Sequence, residues 1–225
     1  MTILPLDAAR LNEALDALAA RDEHIARALR RVGYPVPRVR EPGFATLLRI
    51  VAAQQISTTA SAAIWGRLEQ RLGGSVCAEG FLALGDADLR ACGFSLRKAE
   101  YGRALAQAIA SGELALEALA HLPEDEAVAA ITALRGFGRW SAEIYLLFAL
   151  GRIDVMPAGD LALQVGAQRL KGLEARPSDT GLRALAEQWR PWRGAAAIFL
   201  WHFYGAASLD EEPAAAAGGA GRRPP

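Results

Sequence analysis

The 225-residue sequence predicts an all-α fold. Three observations carry that expectation. Apolar residues recur at the spacing of a helix face nearly throughout. No set of segments alternates apolar and polar residues as half-buried strands do. Glycine and proline gather between the periodic segments, where they stop helices. The length suits one domain or two small lobes and allows a sizeable core.

The elements follow in order. Leu11, Leu15, Leu18, Ile25 and Leu29 mark one amphipathic N-terminal helix. Gly33, Pro35, Pro37 and Pro42 interrupt it and impose an extended crossover. Residues 44–56 read as an apolar helix and 58–72 as another, ended by Gly73 and Gly74. Short helices follow over 86–92 and 96–111, and Gly112 and Pro123 bracket a further short piece. Residues 124–133 lead into a glycine hairpin, and 139–150 leave it. Asp160 opens a helix through Leu170; others cover 180–188 and 191–204, with Pro191 at a first helical position, where its missing N–H costs nothing. From Glu211 the chain is Ala, Gly, Pro and Arg, a low-complexity tail expected to be disordered.

Apolar residues make up 52% of the chain and the formal net charge is zero, so no global basic signal marks a nucleic-acid binder. A local one exists. Residues 163–200 hold six cations (Arg169, Lys171, Arg176, Arg183, Arg190, Arg193) against three anions (Glu174, Asp179, Glu187). Lys98 and Lys171 are the only two lysines, which limits amine chemistry. Cys77 and Cys92 cannot supply a four-thiolate iron–sulfur cluster or a cysteine-rich zinc site. His24, His121 and His202 lack metal-ligand spacing. No charged-then-apolar leader and no run of about 18 apolar residues is present, so a cytoplasmic protein without a membrane span is expected.

The segment Leu134-Arg135-Gly136-Phe137-Gly138-Arg139-Trp140 joins two predicted helices. Gly136 and Gly138 can take positive φ and leave no side chain between main-chain N–H groups and an anion. The dipole of the following helix favours that anion. The same glycines would also serve an ordinary helix–turn–helix connection. Asp160 stands twenty residues beyond Trp140, in Pro157-Ala158-Gly159-Asp160. It can cap a helix, stabilise a cation, or do both. Trp189-Arg190-Pro191-Trp192 sets two indoles beside two cations. Trp140 and Trp192 are candidates for a base-stacking pocket, and Trp65, Trp189 and Trp201 are assigned to the core. Gln54-Gln55-Ile56-Ser57 reads as a solvent-facing helix end or as a wedge that enters a duplex.

Together these residues resemble the helix–hairpin–helix–Gly/Pro–Asp superfamily of DNA glycosylases, and within it the 3-methyladenine DNA glycosylase II (AlkA) type. The resemblance covers residues 44–205 and rests on Gly136–Ala142, Pro157–Asp160 and Trp189–Trp192, in order and at suitable spacing. It implies two helical lobes with a cleft between them, a middle lobe of about 44–150 and another from about 1–43 plus 151–210. It implies Asp160 as catalytic aspartate and a base pocket of Trp140, Trp192, Gln54 and Ile144. Some relatives carry Tyr where Ile144 stands, so a less aromatic or wider pocket is expected. Gln55 matches the wedge, and Gly136, Gly138 and Arg139 the phosphate-binding hairpin. The carbonyls of Thr132, Leu134 and Phe137 match a monovalent-cation site.

The function so implied is hydrolysis of the N-glycosidic bond of flipped-out alkylated bases in double-stranded DNA, leaving an abasic site. Such bases include 3-methyladenine and 7-methylguanine, with 1-methyladenine and 3-methylcytosine as further candidates. Trp140 stands where strand-nicking relatives carry Lys, so release without cleavage is expected. A monomer without organic cofactor or iron–sulfur cluster is expected. The alternatives are a non-catalytic helix–hairpin–helix DNA-binding module, and a mismatch or oxidised-base glycosylase of the same fold.

Overall fold

A computed structural model describes residues 6–210, and all regular structure among them is helical. Twelve α-helices run α1 Ala8–Ala19, α2 Glu23–Val32, α3 Phe44–Ala53, α4 Thr58–Arg71, α5 Ala78–Ala83, α6 Asp86–Cys92, α7 Leu96–Ala110, α8 Glu124–Thr132, α9 Arg139–Phe148, α10 Leu161–Lys171, α11 Asp179–Ala186 and α12 Arg193–Asp210. Two single 3₁₀ turns, Ala118–Ala120 and Glu187–Trp189, complete them. Among the described residues, no helix is long and apolar enough to cross a membrane.

The interior divides into two hydrophobic clusters. One is built by α3 to α9 around Leu47, Leu48, Phe81, Leu105, Ile131 and Tyr145. The other is built by α1, α2 and α10 to α12 around Leu11, Leu15, Ile25, Leu163, Trp189 and Phe199. Each large apolar side chain so buried contributes about 1.5–3 kcal/mol. Phe148 of α9 and Trp201 of α12 pack against both clusters, their rings 5.6 Å apart. They mark the junction of the two lobes.

Four sequence expectations change. The N-terminal helix is two helices. Asp22 breaks it: its carboxylate accepts from His24 N and Ile25 N and starts α2 afresh. The helix from Phe44 stops at Ala53 rather than at residue 56, because the Lys98 ammonium accepts the role of cap, donating to the carbonyls of Ala52 and Gln54 at 2.7 Å each. A short helix, α5, forms where none was expected, with Cys77 Sγ accepting from Gly80 N. Pro191 lies ahead of α12 after a cis Arg190–Pro191 bond, not in its first turn. The tail from Glu211 lies outside the described residues.

The segment between α2 and α3 crosses from one lobe to the other and is pinned along its length. His202 Nε2 meets Val32 O at 2.9 Å, Arg40 N donates to Phe148 O at 2.9 Å, and Gly43 N donates to the buried Tyr145 hydroxyl at 3.0 Å. Burial raises the pKa of that phenol, so it stays a neutral hydrogen-bonding group.

Candidate active site

Asp160 is the N-cap of α10. Its Oδ1 accepts from Ala162 N at 2.9 Å and Leu163 N at 3.2 Å. Two indoles complete its shell. Trp140 Nε1 donates to Oδ2 at 3.1 Å, and Trp201 Nε1 donates to Oδ1 at 3.1 Å. Four N–H donors thus hold one half-buried carboxylate in a single orientation. Among the described residues no cation pairs with it, which leaves its charge available to a developing positive centre.

Two adjoining cavities open at the lobe junction. One, of about 320 Å³, is lined by Trp140, Ile144 and Phe148 of α9, Arg49, Ile50 and Ala53 of α3, residues Thr58, Ser61 and Ala62 of α4, and Arg38 and Arg40. The second, of about 240 Å³, runs past Pro35, Val36, Ile198, Trp201 and His202. Arg38 and Phe148 belong to both. The two indoles on Asp160 therefore close one cavity each.

The hairpin between α8 and α9 differs in detail from expectation. Gly136 takes φ +94°, and a Cβ there would lie 2.3 Å from the Tyr101 ring, so only glycine fits. Gly138 takes φ −93° and needs no glycine for its backbone. A Cβ on it would meet nothing within 4 Å. What glycine supplies there is bare access to the start of α9. That terminus has no side-chain cap, whereas α1, α2, α4, α7, α10 and α11 are each capped by Asp or Ser. Gly138 and Arg139 at that terminus are exposed, as access for an anion requires.

Arg139 contributes its main-chain N–H to that terminus, but its guanidinium turns back to Glu143 at 2.9 Å and Asp125 at 3.5 Å. Glu143 is fully buried and also takes Arg183 of α11 at 2.6 Å. Burial alone would lower the pKa of Arg183; Glu143 and then Asp179 outweigh it and raise it. Arg183 further donates to Met156 O at 3.1 Å, so this pair ties α9 to the loop that delivers Asp160.

The remaining sequence candidates fall as follows. Ile144 lines the larger cavity beside Trp140. Gln54 does not; its amide donates to Gly136 O and Ser141 Oγ, both at 3.1 Å, and so braces the hairpin. Gln55 is exposed with φ +59°, the one non-glycine residue with positive φ among those described. Trp192 lies outside both cavities. Its ring covers the second core, and Arg21 stacks on it with its guanidinium carbon 4.9 Å from the ring centroid. Trp201, assigned to the core by its apolar surroundings, instead reaches Asp160. Nothing in the run Ala195–Leu200 before it signals a polar partner.

The whole arrangement is a helix–hairpin–helix followed by a Pro–Ala–Gly–Asp turn at a lobe junction. A family model described as HhH-GPD superfamily base excision DNA repair protein matches residues 48–191. The chain belongs to that superfamily. Relatives within it agree. DNA-3-methyladenine glycosylase 1 of Schizosaccharomyces pombe is 34% identical over 198 residues, covering 85% of this chain and 86% of that protein. DNA-3-methyladenine glycosylase 2 of Escherichia coli is 28% identical over 213 residues, covering 88% and 71%. The S. pombe 3-methyladenine DNA glycosylase Mag1, solved in complex with abasic DNA, superposes with a TM-score of 0.80 at 32% identity, covering 90% of this chain and all of that one. The match takes in α8 and α9 on either side of the hairpin and, after them, Pro157, Gly159 and Asp160.

Proposed function

We propose that the chain is a monofunctional DNA glycosylase that releases alkylated bases, 3-methyladenine and 7-methylguanine first, from double-stranded DNA. The observation that carries this reading is the Asp160 carboxylate, fixed by four N–H donors, two of them indoles that each line one of the two cavities. A base within a duplex is unreachable, so the nucleotide must leave the stack, at a cost of a few kcal/mol that is smaller for a damaged base. The exposed Gln55, held in a left-handed turn, is suited to fill the gap. The uncapped start of α9 at Gly138 is suited to hold the backbone.

In the larger cavity the base meets Trp140 and Ile144. A base alkylated on a ring nitrogen is cationic and already a good leaving group, and an indole face attracts it. As the glycosidic bond breaks, positive charge develops on the sugar, as in other glycoside hydrolyses. Asp160 stabilises that charge and orients the water that completes the reaction. Its hydrogen bonds are made before the reaction, so no reorganisation is needed at the barrier.

Amine catalysis has no support. Lys98 Nζ is committed to two carbonyls at the end of α3, and Lys171 Nζ pairs with Asp22 at 2.6 Å in the second core. A monovalent cation would be held by the carbonyls of Thr132, Leu134 and Phe137. Neutral oxygens suit such an ion; among the described residues that of Leu134 accepts only Phe137 N, at 3.1 Å, and keeps a second lone pair. Bound there, the ion would add positive charge for a DNA phosphate. The chain acts on one bent duplex as a monomer in this reading.

The test is base release from methylated duplex DNA, with products identified by chromatography, for the wild type and Asp160→Asn. Asn keeps the cap and removes the charge. Release by the wild type only, with DNA binding intact in both, is expected. Equal release by both would make Asp160 a cap alone. Binding without release by either would favour a non-catalytic DNA-binding module. A covalent protein–DNA adduct trapped by borohydride would overturn the monofunctional assignment.

A further inference from the structure

The cleft carries charge that this chemistry does not use. Arg38 and Arg40 on the crossing segment and Arg49 on α3 all line the larger cavity, and Arg38 lines the smaller one too. Among the described residues none of the three forms an ion pair, whereas Arg71, Arg103, Arg139, Arg183, Arg190 and Arg193 all do. The three lie within reach of one another's fields. Burial against the cavity wall, then the charges of Arg49 and Arg38, lowers the pKa of Arg40, although its side chain keeps solvent access.

Nor are these charges on a loose strand. Arg40 is fixed by its own N–H on Phe148 O, and Glu41 O accepts from Thr46 Oγ1 at 2.7 Å. The Arg49 guanidinium stacks 5.1 Å from the Trp65 ring centroid. Three like charges held on one cavity rim repel one another until an anion joins them. The flipped base is not that anion, because the alkylated bases of the proposed reaction are cations. Phosphodiester groups are. The hairpin terminus sits at the start of α9 and Phe148, which anchors Arg40, at its end, nine residues or about 13–14 Å along the helix. Asp160 is held by Trp140 in the first turn of α9, and Trp140 lines the same cavity as the three arginines, so a strand whose sugar reaches Asp160 comes near both the hairpin and the arginines.

We propose that Arg38, Arg40 and Arg49 form a second phosphate clamp, taking backbone groups of the lesion-bearing strand across the cleft from the hairpin. This rests on the glycosylase reading for the path of the strand. Arginine suits the task, since its planar fork takes two phosphate oxygens at once.

The experiment measures affinity for a duplex carrying a non-hydrolysable abasic analogue, against salt concentration, for the wild type and Arg38→Gln/Arg40→Gln/Arg49→Gln. Each lost phosphate contact lowers the log–log salt slope by about 0.9, so a fall of about 2–3 is expected, with unchanged thermal melting. The triple Lys variant should keep most of the slope. Neutral methylphosphonate linkages, placed one at a time beside the analogue, should weaken the wild type at one or two positions and leave the Gln variant unaffected there. An unchanged slope overturns the clamp. So does an unchanged slope with altered preference between cationic and neutral bases, which would make the trio a base selector. Inorganic phosphate bound through the trio, with the duplex slope unchanged, would assign it to a free anion and overturn it as well. Because the readout is binding, a chain that passes here yet releases no base would refute only the glycosylase reading.

Discussion

The indole N–H of Trp201 donates to Asp160 Oδ1 across 3.1 Å, from the middle of α12. Its ring also packs 5.6 Å from Phe148 at the lobe junction. One side chain thus does two things, and Trp201→Phe separates them. Phenylalanine keeps the ring contact and deletes the donor. A hydrogen bond to a charged group is worth about 1.5–3 kcal/mol, and about 1.4 kcal/mol is tenfold in rate. Single-turnover base release should slow at least about tenfold, with the affinity for abasic DNA unchanged. An unaltered rate would mean that the other three donors suffice to hold the carboxylate.

The two hairpin glycines should fail in different ways. Alanine at Gly136 meets the Tyr101 ring at 2.3 Å and must also hold φ +94°. Steric overlap and strain together cost about 2–3 kcal/mol, a drop in Tm of roughly 5–10 °C for a chain of this size. Alanine at Gly138 meets nothing and has an ordinary φ of −93°. Its Tm should hold within about 2 °C. Its methyl stands over the bare terminus of α9, so DNA affinity should fall instead. Paired melting and binding curves decide; a Gly138→Ala protein with normal affinity would remove the hairpin from the DNA interface.

Much of this was legible in the sequence for a physical reason. Helical spacing reports burial directly, and Gly136 and Asp160 sit where a positive φ and a helix N-cap restrict the residue type. The failures have reasons too. Leu18 and Ile25 are seven apart, two full helical turns, so periodicity runs unbroken across the stop at Asp22. Trp192 sits in a cation-rich sequence that resembles a stacking platform, yet its ring is satisfied by Arg21 and the second core. Trp201 of α12 meets Asp160, and Arg38 and Arg40 of the crossing segment meet Arg49 of α3, only in three dimensions. No local pattern announces such a meeting.

Asp22 joins three elements of the second lobe. Its carboxylate starts α2, pairs with Lys171 at 2.6 Å and accepts from Trp189 Nε1 at 2.8 Å. Burial raises its pKa; Lys171 and Trp189 outweigh burial, and the net shift is downward. A carboxyl with a lowered folded pKa adds stability above its unfolded pKa, about 3.9, and loses it as pH falls through the folded value. Asp22→Asn strands a nearly buried ammonium and should cost about 3 kcal/mol at neutral pH. The gap in melting temperature between wild type and variant should shrink below about pH 4. A gap that stays constant to lower pH would show that the charge of Asp22 adds nothing.

Lys98 supports the exposed turn at Gln55 from below. Its ammonium holds the carbonyls of Ala52 and Gln54, and the Gln54 amide in turn holds Gly136 O and Ser141 Oγ. The positive φ of Gln55 is thereby clamped between α7 and the hairpin. Lys98→Met keeps the stem but removes two charge-assisted bonds and a cation from the negative end of α3. The turn should relax out of its left-handed state, which only a duplex would notice, since a single strand leaves no gap to fill. Base release from duplex DNA should fall about tenfold, one broken charge-assisted bond being worth at least that much, while release from single strands stays level. Arginine at the same position should restore part of the duplex rate. A parallel loss on both substrates would instead mean that Lys98 supports the fold of α3 and not the turn that Gln55 occupies.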